Sequence, residues 1–315
     1  MEVLRMKSNF DIIGKRKVLF AIPIVIAVIT IIFAIINGIQ VSIEFKGGTL
    51  LTYSYSGEID TDAVKNEVEG MGYGAVTVTT GSSFGSNLQT MTISFAENGG
   101  LTADVQAELT ASLTEKFADK ELNLENSQDV NPSSGTMFFI KCAVAVGLSF
   151  VLLIIYMAFR FRKIGGVSAG AFALVALFHD IFMVFAAFVF FGFSIDANFM
   201  AVVLTILGYS LNSTIVVYDR VRENRTLMGK SASYTEIVNL SIRQTLTRSV
   251  NTTITTIVAT AVICVVCMVC GVSSIISFAF PMLIGLIAGF YSSLCISGPL
   301  WALWKERKTK ASGKK

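Results

Sequence analysis

Histidine occurs once in this chain of 315 residues, at His179, and that scarcity already narrows its chemistry. One imidazole cannot build the multi-histidine centres that hold catalytic zinc. The sequence also lacks a Walker loop, a zinc-ligand spacing and a nucleophile motif, so no enzymatic activity, metal or cofactor is expected. Charge is sparse as well. Asp, Glu, Lys and Arg make up 15% of the residues against 53% hydrophobic, where ordinary soluble domains carry about 25% charged. Cysteine is missing from the polar stretch 41–135, which excludes a structural disulfide there even in an oxidising compartment.

What the chain does have is long apolar runs, each near the ~20 residues that cross a bilayer as a helix. Six can be read, at 18–36, 137–159, 167–193, 197–217, 254–272 and 275–304. None carries a continuous amphipathic stripe, as expected of helices facing lipid or one another. The first follows Lys15, Arg16 and Lys17, yet Asn37, Gly38, Ile39 and Gln40 offer no small-x-small cleavage site, so an uncleaved first span is expected. All five cysteines lie inside apolar runs. Cys264, Cys267 and Cys270 form CxxCxxC, but on one continuous apolar helix, which reads as packing and not as a cluster site.

Positive residues flanking short loops stay on the cytoplasmic side. Of 25 Lys and Arg, 20 fall at the N-terminus, at 160–163, at 220–248 or after Trp304, all on one side of a six-span map. Both termini are therefore expected in the cytoplasm. The long segment on the other side, 41–135, carries 14 acidic residues against 4 Lys, so a net charge of +3 hides two opposed regions and nucleic acid is not an expected partner.

Within that segment Leu51, Tyr53 and Tyr55 alternate with polar neighbours, as do Val76 with Val78, and Met91, Ile93 and Phe95; such alternation predicts half-buried strands. Thr61 can cap a helix with Val64, Val68 and Met71 inward, ended by Gly70 and Gly72. Thr102 can cap another with Val105, Leu109, Leu113 and Phe117 inward. A last strand near Leu122 and Leu124 completes strand, helix, strand, strand, helix, strand, the ferredoxin-like arrangement. The predicted organisation is a cytoplasmic N-terminus (1–17), a first span (18–40), an extracytoplasmic α+β ferredoxin-like domain (41–135), an all-α transmembrane bundle of the remaining spans (136–304) and a basic cytoplasmic tail (305–315).

Ionisable residues inside a span are costly and are functional candidates by default. Asp180, beside His179, lies near the middle of the third run and needs a partner or water; an ion relay and a static polar contact between helices both fit. The fourth run contains Tyr209, Ser210, Asn212, Ser213 and Thr214, followed by Asp219 and Arg220. These side chains can glue helices together or line a wet path. Arg248, which opens the fifth span, precedes Asn251, Thr252, Thr253, Thr255 and Thr256; it can hold or repel an ion, or simply snorkel to water. Gly166 with Gly170, and Gly285 with Gly289, give the GxxxG spacing of close helix packing. Asn212, Ser213 and Thr214 match a glycosylation sequon that would lie within the membrane, and it is discarded.

Several stretches, in order, resemble the SecF branch of the SecD/SecF family: IEFKGGTLL at 43–51, IYMAFRFRK at 155–163, His179 with Asp180, GYSLNSTIVVYDRVREN at 208–224 and RQTLTRSVNTTITT at 243–256. The likeness runs from Phe10 to about Trp304. It implies a membrane bundle equal to half of a resistance-nodulation-division (RND) transporter, paired with SecD, that assists the Sec translocon (SecY, SecE, SecG, with YidC as a further contact) by using an ion gradient to move unfolded polypeptide across the bacterial cytoplasmic membrane. On this mapping Asp180 and Arg248 fall on matching positions, and Gly47 and Gly48 match the turn that joins the first span to the external domain. One position departs: where the family reads GYSxNDT, this chain has Ser213, whose hydroxyl cannot titrate near neutral pH. Three routes stay open: relay through Asp180 or the SecD half alone, sodium coordination by oxygens of Asn212, Ser213 and Thr214, or a scaffold without ion coupling. A small-molecule or lipid exporter of the same superfamily would be expected to show a second repeat and larger external domains.

Overall fold

The computed structural model describes residues 12–42, 45, 47–74, 76–82, 89–95, 101–130, 132–229, 232–269 and 273–312. Cys270, the end of the fifth apolar run and Ile43, Glu44 and Lys46 of the IEFKGG stretch lie outside the described residues.

Among the described residues six helical spans are long and apolar enough to cross a membrane. The first, α1 (Arg16–Asn37), leads into a four-stranded sheet with two helices: β1 (Gly48–Tyr55), α2 (Thr61–Gly70), β2 (Val76–Ser82), β3 (Gln89–Phe95), α3 (Ala103–Lys116) and β4 (Asn123–Val130). The strands are antiparallel in the order β2-β3-β1-β4. Alternation sets the register. Leu51 opposes Ile93 and Tyr53 opposes Met91, and all four are fully buried against Val64 and Val68 of α2 and Leu109 and Leu113 of α3. The Tyr53 hydroxyl reaches Thr110 Oγ1 at 3.1 Å, so this deep phenol keeps a partner.

Two capping expectations are corrected. Asp60, not Thr61, caps α2: its Oδ1 accepts from the Asp62 and Ala63 amides at 2.9 and 3.3 Å. Asp60 is the last extended residue, and a carboxylate there satisfies two amides that a threonine inside the first turn would not reach. Thr102 does occupy the N-cap position of α3, but its side chain makes no capping bond. Leu122 is buried just before β4, while Leu124 within it is exposed.

The remaining spans are α4 (Pro132–Arg160), α5 (Gly166–Phe191), α6 (Ala197–Met228), α7 (Tyr234–Val269) and a sixth made of α8 (Ser273–Ser292), a π-helical turn at Ser293–Ser297 and α9 (Gly298–Ser312). Three of them differ from the apolar runs. Helix α6 continues past Val217 to Met228. Helix α7 starts at Tyr234, so Arg248 lies well inside a helix and does not open it. The sixth span is interrupted by the π turn. The extensions hold because Val221 of α6 and Ile237, Val238 and Ile242 of α7 are buried in the same apolar core, and their polar residues bind one another beside it. Asn224 donates to Ser241 Oγ and Gln244 Oε1, both at 2.8 Å, and Arg220 donates to Gln244 at 2.6 Å. Trp301 is fully buried between the rings of Tyr218 and Tyr234. Arg225 lies over the Tyr234 ring and donates to the Gly229 and Ala232 carbonyls, clamping the turn between α6 and α7.

Helices α5, α6 and α8 form the buried centre, whereas α1 and α4 are mostly exposed along their length. At the sheet end, the stretch after α1 is tied into the bundle. Val41 forms a parallel bridge with Ile195, the Ser42 amide donates to the Ile195 carbonyl at 3.0 Å, and the Ile195 amide donates to Gln40 at 2.8 Å. Asp196, the next residue, caps α6 through the Phe199 amide. Gly47 and Gly48, at the entry to β1, have φ of +80° and +140°, backbone that residues with a Cβ rarely adopt.

Candidate polar site inside the bundle

Asp180 is the only fully buried charged side chain among the described residues. Three partners hold it. Its Oδ2 accepts from Ser210 Oγ at 2.5 Å and from Ser292 Oγ at 2.8 Å, and its Oδ1 faces His179 Nδ1 at 2.9 Å. One carboxylate therefore joins α5 to α6 and to the last turn of α8. An ionised carboxylate in this setting depends on such donors, because burial without them is prohibitive. The His179 ring lies 6.0 Å from that of Tyr291, whose hydroxyl donates to the Leu19 carbonyl of α1.

From Ser210 the polar seam continues along one face of α6. Ser210, Thr214 and Tyr218 recur every fourth residue, which stacks them on one side of a helix. Each meets the sixth span: Thr214 Oγ1 lies 3.0 Å from Ser293 Oγ, and the Tyr218 hydroxyl lies 3.1 Å from Ser297 Oγ and 3.2 Å from the Ser297 carbonyl. Ser293 also donates to the Gly289 carbonyl at 2.7 Å and to the Ser210 carbonyl at 3.3 Å. The seam runs beside the π turn, where the wider backbone changes which side chains face α6. Turns of this kind inside α-helices are frequent at functional sites.

Glycine makes the approach possible. A Cβ at Gly285 would meet Ile206 Cγ1 at 2.7 Å and Val184 Cγ2 at 2.9 Å, and one at Gly289 would meet Ser210 Cβ at 3.1 Å. At the other GxxxG pair, Gly166 packs directly on the backbone of Met157 and Ala158, and Gly170 on the Met157 side chain.

The structure joins Asp180, His179, Ser210 and Thr214 to this seam and leaves Asn212, Ser213 and Arg248 apart. Asn212 is exposed; Ser213 is half-buried and donates to the Tyr209 carbonyl of its own helix at 3.4 Å. With Thr214 facing Ser293, the three neighbouring oxygens point to different sides and do not converge on one point. Arg248 is exposed and has no ion pair among the described residues. Its neighbours Thr252 and Thr255 fold their hydroxyls back onto helix carbonyls at 2.9 and 2.8 Å. Sequence reasoning missed Ser292, Ser293, Ser297 and the role of Tyr218. The fourfold spacing of Ser210, Thr214 and Tyr218 was the signal that could have found the seam.

Six spans, a ferredoxin-like unit inserted after the first, and a carboxylate held inside the bundle define a multi-pass membrane protein with a polar centre. Residues 109–307 match the family described as "Protein export membrane protein SecD/SecF, C-terminal", and the chain belongs to that family. It is 30% identical over 305 residues to the protein translocase subunit SecF of Petrotoga mobilis, an alignment that covers 96% of this chain and 98% of that one. The protein translocase subunit SecDF of Bacillus subtilis is 31% identical over 96% of this chain. A crystal structure of SecDF from Thermus thermophilus, described as translocon-associated, superposes with a TM-score of 0.78 at 26% identity over 97% of this chain. This chain spans only 39% and 40% of those two longer SecDF proteins.

Proposed function

We propose that this chain is the SecF-like subunit of a SecD–SecF accessory complex, which promotes protein export across the bacterial cytoplasmic membrane by drawing on an ion gradient through Asp180. The observation that carries the reading is the Asp180 cluster: one buried carboxylate whose donors come from two other spans. Loading a cation or proton there removes the charge that orders Ser210 and Ser292, and so loosens α6 and α8 against α5. A unit charge crossing the membrane field supplies about 2.3 kcal/mol per 100 mV, enough to shift a two-state packing. Because α6 is capped at Asp196, beside the Val41–Ile195 bridge, the same helix is the mechanical link to the sheet domain. The 41–135 segment then moves on the extracytoplasmic side, while the basic helix ends and both termini stay in the cytoplasm.

The partner half, SecD, packs on the exposed face of α6 and α7. Asn212, Arg248 and Asn251 are exposed there with no hydrogen-bond partner among the described residues, an arrangement that is costly against lipid and that a protein partner can satisfy. The Sec translocon (SecY, SecE, SecG), YidC and the emerging polypeptide are the further partners of this reading, with no enzymatic step in the chain itself. Ser213 favours one competing reading, a scaffold without ion coupling, because the usual second carboxylate is missing. Spheroplasts depleted of the native complex and restored with this chain and its SecD partner separate the two. Release of a secretory protein that needs a proton or a sodium gradient supports coupling and names the ion; equal release with and without both gradients leaves the scaffold.

A further inference from the structure

At the basic end of the bundle, between the end of α4 and the extension of α6, lies a cleft of about 800 Å³, within the roughly 300–1,000 Å³ of small-molecule sites. Its cations converge from separate elements: Arg160 ends α4, Arg162 and Lys163 sit in the short turn after it, and Arg222 projects from α6. Glu223 is the one carboxylate in the lining, and it is already engaged by Arg220 at 2.6 Å. Asp219 bridges Arg160 and Arg222, each at 2.8 Å, and so fixes the two guanidinium groups in place. Arg162 and Lys163 are exposed and have no such counter-charge among the described residues. The walls are apolar where the cleft opens sideways: Phe159 and Leu227 line it and are 73% and 72% exposed.

Fixed cations with two left uncompensated, beside large bare apolar side chains at the end of two membrane spans, match a ligand with an anionic head and acyl tails. We propose that this cleft is a binding site for an anionic phospholipid, whose phosphate is held by Arg162, Lys163 and the Asp219-braced guanidinium groups while its chains run past Phe159 and Leu227. Guanidinium groups suit phosphate oxygens because their planar forks donate in pairs. Basic pockets between helices on this side of a membrane are suited to anionic headgroups. A lone soluble phosphate would use the same cations but not the apolar walls.

Native mass spectrometry of the detergent-purified full chain tests this with three probes: phosphatidylglycerol, phosphatidylcholine and glycerol 3-phosphate. The expected result is retained phosphatidylglycerol, much weaker phosphatidylcholine, and no displacement by glycerol 3-phosphate. Replacing both uncompensated cations (Arg162→Gln with Lys163→Gln) should weaken phosphatidylglycerol about 25-fold, from about fivefold per charge. Lys163→Gln alone, at about fivefold, serves if the double variant does not fold. The control pair Arg307→Gln with Lys310→Gln, exposed cations of α9 outside the cleft, should change nothing. Equal losses in both pairs would reduce the effect to diffuse attraction and overturn the site. Undiminished binding in the Arg162 and Lys163 variants would overturn it too, and displacement by glycerol 3-phosphate would reassign the cleft to a soluble anion.

Discussion

Four glycine-to-alanine substitutions turn the packing of the bundle into a rank order. A new methyl group at Gly285 would sit 2.7 and 2.8 Å from two carbons of Ile206 and 2.9 Å from Val184 Cγ2, where carbon atoms in ordinary contact lie about 3.5–4.0 Å apart. Either the Ile206 and Val184 side chains must repack or helix α8 must retreat by roughly 1 Å from α5 and α6. Overpacking of this kind costs about 1–3 kcal/mol, against a gain of about 1 kcal/mol from replacing a helical glycine with alanine. At Gly289 the nearest atom, Ser210 Cβ, is 3.1 Å away, so the retreat is about half as large and the two effects nearly cancel. Gly147 in α4 and Gly208 in α6 have nothing within 4 Å, and there only the propensity gain remains. Thermal denaturation of the purified chain in detergent should therefore place Gly147→Ala and Gly208→Ala at or above the parent, Gly289→Ala close to it and Gly285→Ala several degrees below. Gly289→Ala should still impair export, because a shift there pulls Ser292 away from Asp180. A Gly285→Ala protein as stable as Gly147→Ala would refute the close packing of α8 on α6.

Trp301→Ala should cost about 3–5 kcal/mol, since it empties the space between Tyr218 and Tyr234 and leaves Ser168 without its indole donor at 3.1 Å; a lower melting temperature and reduced membrane accumulation check this. At the entry to β1, Gly47→Ala should cost about 1 kcal/mol and Gly48→Ala more, since only glycine is at ease at φ +140°; limited proteolysis of the sheet domain reads the difference. Burial raises the Tyr53 phenol above its ordinary value, with the Thr110 hydrogen bond opposing in part. The folded state then favours the neutral phenol, a stabilisation present below the unfolded value of about 10 and lost as pH climbs towards the folded one. Tyr53→Phe should flatten the alkaline loss of stability measured by circular dichroism.

The parts of the fold that were legible share one cause, a strong local pattern. Long apolar runs announced the spans, and the alternation of Leu51, Tyr53 and Tyr55 announced a strand, because burial imposes those periods directly. Helix ends were less legible. Asp60 and Thr61 are both capping residue types in adjacent positions, and only the backbone conformation decides between them. The extensions of α6 and α7 mix apolar with charged residues, so hydropathy stopped at Val217 and resumed at Ile254, although Val221, Ile237, Val238 and Ile242 continue the buried core there and Asn224, Ser241 and Gln244 add hydrogen bonds. In the polar centre, Asp180 stood out because a lone carboxylate in an apolar run has no inexpensive explanation. The run Asn212, Ser213, Thr214 drew attention by adjacency, yet neighbours on a helix point about 100° apart, and only Thr214 faces the seam. Ser292, Ser293 and Ser297 were hidden for a different reason. Ser293 and Ser297 are four apart and share a face, but their partners Thr214 and Tyr218, and the Asp180 partner of Ser292, lie on other spans, and only the packing of the sixth span on α5 and α6 pairs them.

The most direct test of the account is export under an imposed gradient with Asp180→Asn beside Ser210→Ala. Asparagine keeps the shape and can still accept from Ser210 and Ser292, but it cannot gain or lose a charge. Ser210→Ala removes one donor at 2.5 Å and leaves the carboxylate with Ser292 and His179. In restored spheroplasts, with both variants accumulating as the parent does, Asp180→Asn should abolish the gradient-dependent part of secretory-protein release while Ser210→Ala should only weaken it. Gradient-dependent release that survives unchanged in Asp180→Asn would contradict the account and remove Asp180 from the path of the ion.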